Sequence, residues 1–318
     1  MMRLSTALLE GKKLPRVILS VRPSDTDPDR ILTLMRRAYE MDAWCFDLPT
    51  PSHHRALKEL KGLVGEDSLI GLPHFSAEEG ASLSGNPLRR FEKKVAATIT
   101  KNIFSPDLVR RLKKRGAWRS PYFYTATGSR EVLTSKEIGL IRFDASRFER
   151  VLSPFQPRIS PFLFIGERYG DWFLALGRAD LLKAMVSSIR EKGFIPILSG
   201  QWATFFLPKA KSLDAAAYAV PINREMSFFD FDQACGLIKK FDKPLVSLNA
   251  LAGREVVEES EEAFSFLFNE LKISFAVAEA DSEEGIERVL RAAWKVPSLT
   301  IHRKRGSPPS PGESSDYH

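Results

Sequence analysis

Lys243-Pro244-Leu245-Val246-Ser247-Leu248-Asn249 is a short apolar run between two amphipathic helical patterns, and its neighbours repeat the arrangement. Before it, Ala216-Ala217-Tyr218-Ala219-Val220-Pro221 has the length and side chains of a strand. Asp230 follows as an N-cap with Gln233 three residues on, and Phe231, Ala234, Cys235 and Ile238 recur at helical spacing. After it comes a turn with Gly253, then a helix carrying Ala263, Phe264, Leu267 and Leu271, then a strand from Ile273 to Ala278. Asp281, with Glu284 completing a capping box, opens a last helix that turns Ile286, Val289, Leu290 and Ala293 inward. Strands alternating with amphipathic helices at this pitch mean parallel β/α units.

The same rhythm runs at the front of the chain. Arg16 to Arg22 is an apolar run, and Asp27-Pro28 starts a helix with Ile31, Leu34, Met35 and Ala38 on one face. Ala43-Trp44-Cys45-Phe46-Asp47 reads as a strand ending on a carboxylate, and a helix with Leu57, Leu60 and Leu63 follows. Ser68 to Leu72 is a third strand, ending at Pro73-His74.

In the middle, Phe75 to Gly85 reads as a loop, a helix starts at Asn86-Pro87, and another starts at Ser105-Pro106. Tyr122 to Tyr124 and Ile138 to Phe143 read as strands. Phe162–Ile165 and Trp172–Leu176 read as an inserted β-hairpin around a Tyr-Gly-Asp turn. Regularity returns with a helix over Ala179–Lys192 and the strand Phe194–Leu198. The expected fold is a (β/α)8 TIM barrel of one domain, residues 1–302, with insertions within about 73–178. Residues 303–318 lack apolar content and are expected to form a disordered tail.

With 318 residues and 43% apolar composition the chain can bury one large core. No run approaches the ~20 apolar residues that cross a bilayer, and no secretory signal follows the basic N-terminal residues. Cys45 and Cys235 read as core thiols of a reducing compartment, so a cytoplasmic protein is expected. The net charge is +7, and the dense run Arg110-Arg111-Leu112-Lys113-Lys114-Arg115 lacks interleaved aromatics. It reads as a solvated helix face, and neither nucleic acid nor a membrane is expected as partner.

The pattern resembles the aldo/keto reductase family. The residues that carry the resemblance are Glu191-Lys192-Gly193, Phe194 to Leu198, Asp214 to Asn223, Lys243-Pro244-Leu245-Val246, Leu251-Ala252-Gly253 and Ile273 to Val289. At the front they are Met35 to Met41 with Phe46-Asp47. The resemblance implies a TIM barrel and oxidoreductase chemistry by a tetrad: a Tyr acid, a Lys–Asp pair that lowers its pKa, and a His that orients the carbonyl. Asp47 matches the aspartate. The tyrosine position is Ser52, followed by His53 and His54, and the lysine position falls at Leu72-Pro73-His74. Thr100-Lys101 looks like the lysine motif but lies on a helical pattern with Phe91, Val95 and Ile99. The histidine position falls near Arg142 if Ile138–Phe143 is the fourth strand. The family's cofactor would rest on Asn249, Gly253 and Arg254. Glu279 and Asp281 bring negative charge there, so NADPH is expected to bind weakly or not at all.

Functional residues of such barrels lie after the C-terminal ends of strands. Candidates for catalysis are therefore Asp47, His53 and His74, and candidates for substrate binding are Arg22, Arg142, Asn223 and Arg224. The two adjacent histidines cannot share a helix face, and each alone reads as an exposed first-turn residue. The leading expectation is a reductase-like barrel with a degenerate tetrad that has changed its chemistry and takes a small molecule. Two alternatives stand beside it. One is a metal-dependent sugar-phosphate isomerase, epimerase or hydrolase, with a divalent metal on Asp47, a histidine, His74 and Glu78. The other is a non-catalytic binding protein.

Overall fold

The structure, a computed structural model, describes residues 4–23, 27–65, 69–100, 131–225, 230–252 and 257–296. It opens with a hairpin, β1 (Thr6–Leu9) paired antiparallel to β2 (Lys12–Pro15). The first β/α unit is β3 (Val17–Val21) and α1 (Pro28–Glu40). Asp27 caps α1 as expected, its side chain accepting from the Asp29 N–H at 3.1 Å, with Pro28 in the first turn. Then come β4 (Cys45–Leu48), α2 (Pro51–Val64) and β5 (Ile70–Ser76).

An insertion follows β5. A 3-10 turn, Ala77–Gly80, leads into β6 (Ala81–Leu83) and β7 (Asn86–Pro87), then a second 3-10 turn, Leu88–Phe91, and α3 (Glu92–Thr98). After a gap in the description come α4 (Ser135–Leu140), β8 (Ile141–Phe143) and α5 (Ala145–Leu152). The barrel resumes with β9 (Phe162–Gly166), α6 (Arg168–Ala175), α7 (Ala179–Glu191), β10 (Ile195–Ser199) and α8 (Ala203–Ala210). It closes through β11 (Ala217–Pro221), α9 (Phe231–Lys240), β12 (Leu245–Leu248), α10 (Val257–Ser265), β13 (Phe275–Ala280) and α11 (Glu283–Trp294).

Eight parallel strands close in the order β10-β11-β12-β13-β3-β4-β5-β9. This is the TIM barrel that the alternation implied. Because side chains alternate along a strand, one parity faces the interior. Ile18, Cys45, Leu72, Phe164, Ile197, Ala219, Val246 and Val277 fill that interior. Ala7, Leu9 and Leu14 of the opening hairpin belong to the same cluster and seal the N-terminal end. The other parity packs against the helices in a second, larger apolar layer.

Several sequence expectations need correction. The insertion does contain a hairpin, but it is β6–β7, in a three-stranded antiparallel sheet with β8. Phe162–Gly166 is instead the fourth barrel strand, and the segment read as its partner is helix α6. Tyr169, Trp172 and Phe173 recur at i, i+3 and i+4, and that helical period outweighs their strand propensity. Phe75 to Gly85 is structured, with a strand end, a 3-10 turn and β6, not a loop. Ile138 lies in α4, so only Ile141–Phe143 is strand, and it lies outside the barrel.

Two caps also differ. Ser282, not Asp281, caps α11 by accepting from the Gly285 N–H at 3.1 Å, because the helix starts one residue later. Asp230 stands at the N-cap of α9 but turns its carboxylate to Trp202 Nε1 at 2.7 Å and to Thr204 Oγ1. The Ser105 helix, the Tyr122–Tyr124 strand, the basic run and the tail lie outside the described residues. Among the described residues, no helix is long and apolar enough to cross a membrane.

Candidate functional site

One step above the apolar interior, the same inward parity places Glu279, Ser20, Asp47 and His74 at the C-terminal end of the barrel. They come from β13, β3, β4 and β5, four strands that are neighbours in the barrel. They form a continuous polar arc around its mouth.

Asp47 is the centre of this arc and is fully buried. Its Oδ1 meets Nε2 of His74, and its Oδ2 accepts from Ser20 Oγ at 2.7 Å. Ser20 Oγ in turn accepts from Arg22 Nε at 3.1 Å. The Arg22 guanidinium lies 3.7 Å from Asp47 and 3.1 Å from Glu279, bridging the two carboxylates across the rim. Burial alone would push the Asp47 carboxyl up. The charge and hydrogen bond of His74, the Ser20 hydroxyl and the Arg22 charge outweigh that and hold it below the usual carboxylate range.

An ionised Asp47 accepts only, so Nε2 of His74 carries a proton. The imidazole stacks on Phe164, centroids 4.3 Å apart and planes at 27°, which fixes the ring in one plane. Among the described residues Nδ1 of His74 has no hydrogen-bond partner. The arrangement is a histidine oriented by a buried carboxylate, with its second nitrogen available to a reactant.

His53 is not an exposed first-turn residue. It is buried, with Nε2 2.6 Å from the Val21 carbonyl and Nδ1 2.7 Å from Thr50 Oγ1. A carbonyl can only accept, so Nε2 holds the proton and the Thr50 hydroxyl donates to Nδ1. Burial above all pushes the His53 pKa down, and both ring nitrogens are occupied in tying α2 to β3. His54 faces the other way, its ring 4.5 Å from Phe155.

The remaining sequence candidates are spread around the rim and beyond it. Asn223, buried, donates from Nδ2 to the Asn249 carbonyl at 2.9 Å and accepts the Glu225 N–H at 3.0 Å, locking the exits of β11 and β12 together. Asn249 itself takes a positive φ of 54°. Arg224 is exposed and pairs with Glu262. Arg142 lies in the outer sheet on β8, its guanidinium bonded to the Gly139 and Ile141 carbonyls. Gly253 and Arg254 lie outside the described residues, as does Lys101. Among the described residues no group of three or more His, Cys, Asp or Glu is gathered to hold a metal ion. The set of Asp47, His74, Glu78 and a second histidine is therefore not assembled as a ligand cage.

Sequence reasoning missed three features of the mouth. Ser20 is the one polar residue of Val17-Ile18-Leu19-Ser20-Val21, and its inward parity was the available signal. At the exit of β9, Gly166 has φ 129°, and a Cβ there would sit 2.2 Å from the Ser199 carbonyl oxygen, so only glycine fits. Glu167 follows at φ 51°, its N–H donating to Ser199 Oγ at 2.8 Å. Third, Asp171 is buried on α6 and accepts from the Gln201 and Trp202 N–H groups after β10. Burial pushes its carboxyl up to about 7 although those two donors favour the charged form.

Solved structures align over most of this chain. An aldo-keto reductase of Bacillus halodurans in its holo form has 11% identity and a TM-score of 0.54, with 93% of each chain covered. One from Brucella melitensis has 10% identity and a TM-score of 0.52, covering 94% of this chain and 96% of that one. One from Klebsiella pneumoniae, in complex with NADP and acetate, has 8% identity and a TM-score of 0.51, covering 94% and 92%. The chain has the fold of the aldo-keto reductases. No family model matches the sequence, and no curated protein matches it either. Within the aldo-keto reductase fold, taking β9 as the fourth barrel strand moves the family's histidine position from Arg142 to the Gly166-Glu167 exit.

Proposed function

We propose that this barrel is an aldo-keto-reductase-like protein with altered chemistry: a small-molecule enzyme in which Asp47 and His74 transfer a proton. The observation that carries this reading is the contact of His74 Nε2 with the buried Asp47, with Nδ1 left without a partner among the described residues. In the family's tetrad the residue at this strand end is a lysine that acts through a tyrosine. Here the strand end supplies an imidazole, which can itself take up and release a proton.

The reaction class follows from these groups. Nδ1 of neutral His74 takes a proton from a carbon beside a carbonyl, Asp47 stabilises the imidazolium that forms, and the imidazolium returns the proton to the adjacent carbon or oxygen. Such a step is an isomerisation or an enolisation and consumes no hydride. Ser20 and Arg22 keep Asp47 ionised through the cycle.

The described residues do not fit the phosphates of a nicotinamide cofactor. Ser282 already occupies the Gly285 N–H in the first turn of α11, and Glu283 and Glu284 bring two carboxylates to that turn. The adjoining cleft is lined by Asp27, Asp29, Glu283 and Glu284 with Arg30. Like charges at a helix N-terminus use up the field an anion would need.

The test is proton exchange. Protein incubated in D2O with small hydroxy- and aminoketones should catalyse loss of the α-proton NMR signals, and His74→Gln should abolish that exchange. Exchange that persists in the variant would refute the assignment. Micromolar NADPH binding, followed by cofactor fluorescence, would restore the reductase reading.

A further inference from the structure

Strands of such a barrel fill its interior in layers of four side chains, each layer drawn from alternate strands. β3, β5, β10 and β12 alternate around the closed barrel. Their interior residues include Ile18, Leu72, Ile197 and Val246, and the next inward positions above these are Ser20, His74, Ser199 and Leu248. β12 stands four strands from β5 in either direction, so Leu248 faces His74 across the mouth. Both rest on one apolar floor. The His74 ring stacks on Phe164, and Leu248 packs against the cluster to which Phe164 belongs.

Burial separates the four. Ser20 and Ser199 are closed off, the first bonded to Asp47 and the second to the Ile165 carbonyl and the Glu167 N–H. His74 and Leu248 are half-buried, so the opening of the mouth reaches these two. The chain on either side of Leu248 is fixed. Ser247 Oγ donates to the Ile222 carbonyl at 2.6 Å, and Asn223 Nδ2 donates to the Asn249 carbonyl at 2.9 Å. Pro221, the register partner of Leu248 on β11, continues the inward parity of Ala217 and Ala219, is also half-buried, and extends the apolar wall.

The charges of the mouth disfavour an anionic ligand. Asp47 and Glu279 share the single guanidinium of Arg22, so a phosphate or carboxylate placed here would meet like charge. An uncharged carbonyl compound meets an imidazole on one side and an aliphatic wall on the other. A fixed apolar wall favours a methyl group over a hydroxyl in the same place, because the hydroxyl loses its water and gains no partner. We propose that Leu248 determines specificity, receiving an alkyl group of the substrate whose carbonyl side faces His74. The substrate class is then an uncharged hydroxyketone with an alkyl substituent. This deepens the acid–base reading of the mouth, on which it rests for the word substrate.

Ethyl hydroxymethyl ketone and dihydroxyacetone differ by a methyl group in place of a hydroxyl, and ligand-observed NMR titration of the full chain with each tests the wall apart from the chemistry. The ethyl ketone should bind about tenfold or more tighter than dihydroxyacetone, and dihydroxyacetone phosphate should bind more weakly than either. Leu248→Asn, close to leucine in shape, should narrow the ratio to about twofold, and Leu248→Met should keep it, each variant retaining the parent's circular dichroism. If Leu248→Asn does not fold, Leu248→Ala serves: there isobutyl hydroxymethyl ketone should gain affinity relative to the ethyl ketone. No saturable binding, equal affinity for the first pair in the parent, a ratio unmoved by the Leu248 variants, or tightest binding of the phosphate would each overturn the proposal. A preference that follows Leu248 without proton exchange on either ketone would instead refute the acid–base reading and leave the wall standing.

Discussion

Asp47 and Asp171 are both buried at the C-terminal end of the barrel, and their carboxyls move in opposite directions. Asp47 faces His74, Ser20 and Arg22 and is held below the usual range. Asp171 accepts from backbone N–H groups, among them those of Gln201 and Trp202, and burial pushes it up to about 7. Burial is the same physical cost in both places, so the difference lies in the partners. Two backbone dipoles do not offset burial at Asp171, whereas His74, the Ser20 hydroxyl and the Arg22 guanidinium together do so at Asp47. The half of the mouth around Asp47 is organised for charge, and the half around Asp171 for tying α6 to the loop after β10.

Removing Asp47 should break the first half at the greatest cost. Asp47→Ala leaves His74, Ser20 and Arg22 facing an empty buried position, and a loss of about 3–5 kcal/mol is expected in urea unfolding. A loss under about 1 kcal/mol would mean the pair is not buried as described. Asp171→Ala should cost less, about 1–3 kcal/mol, since two backbone N–H groups lose their acceptor.

Acidity sharpens the contrast. The folded pKa of Asp171 is raised above its unfolded value, so between about pH 4 and 7 the folded state binds more protons than the unfolded one. Its contribution to stability therefore falls as pH rises across that window and is flat above it. For Asp47 the folded pKa is depressed, so its contribution is present above the unfolded value and lost as pH falls through the folded one. Stability of Asp171→Asn relative to the parent, measured from pH 4 to 8, should therefore rise up to about pH 7 and then level. A flat difference would remove Asp171 as a titrating group.

Ser20→Ala should cost about 1 kcal/mol, because Asp47 keeps His74 and Arg22. The smallest effect belongs to Glu279→Gln. Its bridge to a half-exposed Arg22 lies at the rim, and a change within about 1 kcal/mol, shrinking with salt, is expected. A larger loss at either position would show that the arc acts as one unit and not as a pair with accessories.

Much of this was legible in the chain itself. The run Val17 to Val21, the carboxylate closing Cys45-Phe46-Asp47 and the repeating units after Gly193 are local patterns, and local patterns survive folding. Asp47 and His74 were visible as strand-end residues for the same reason. Their contact was not, because it joins neighbouring strands whose register no single sequence displays. His53 looked like a surface residue because its two partners, Thr50 and the Val21 carbonyl, come together only when α2 packs on β3. Asp230 looked like a helix cap because Trp202 and Thr204 lie almost thirty positions away. The α6 segment failed differently: aromatic content argued for strand, and only the spacing of Tyr169, Trp172 and Phe173 argued for helix.

The hairpin beneath the barrel has a consequence for traffic. With Ala7, Leu9 and Leu14 pressed into the base of the barrel, its interior is a cup and not a tube. Whatever reaches His74 must arrive from above, and whatever His74 releases must leave by the same door. Departure of one molecule therefore precedes arrival of the next, and any covering placed over the rim slows both steps together.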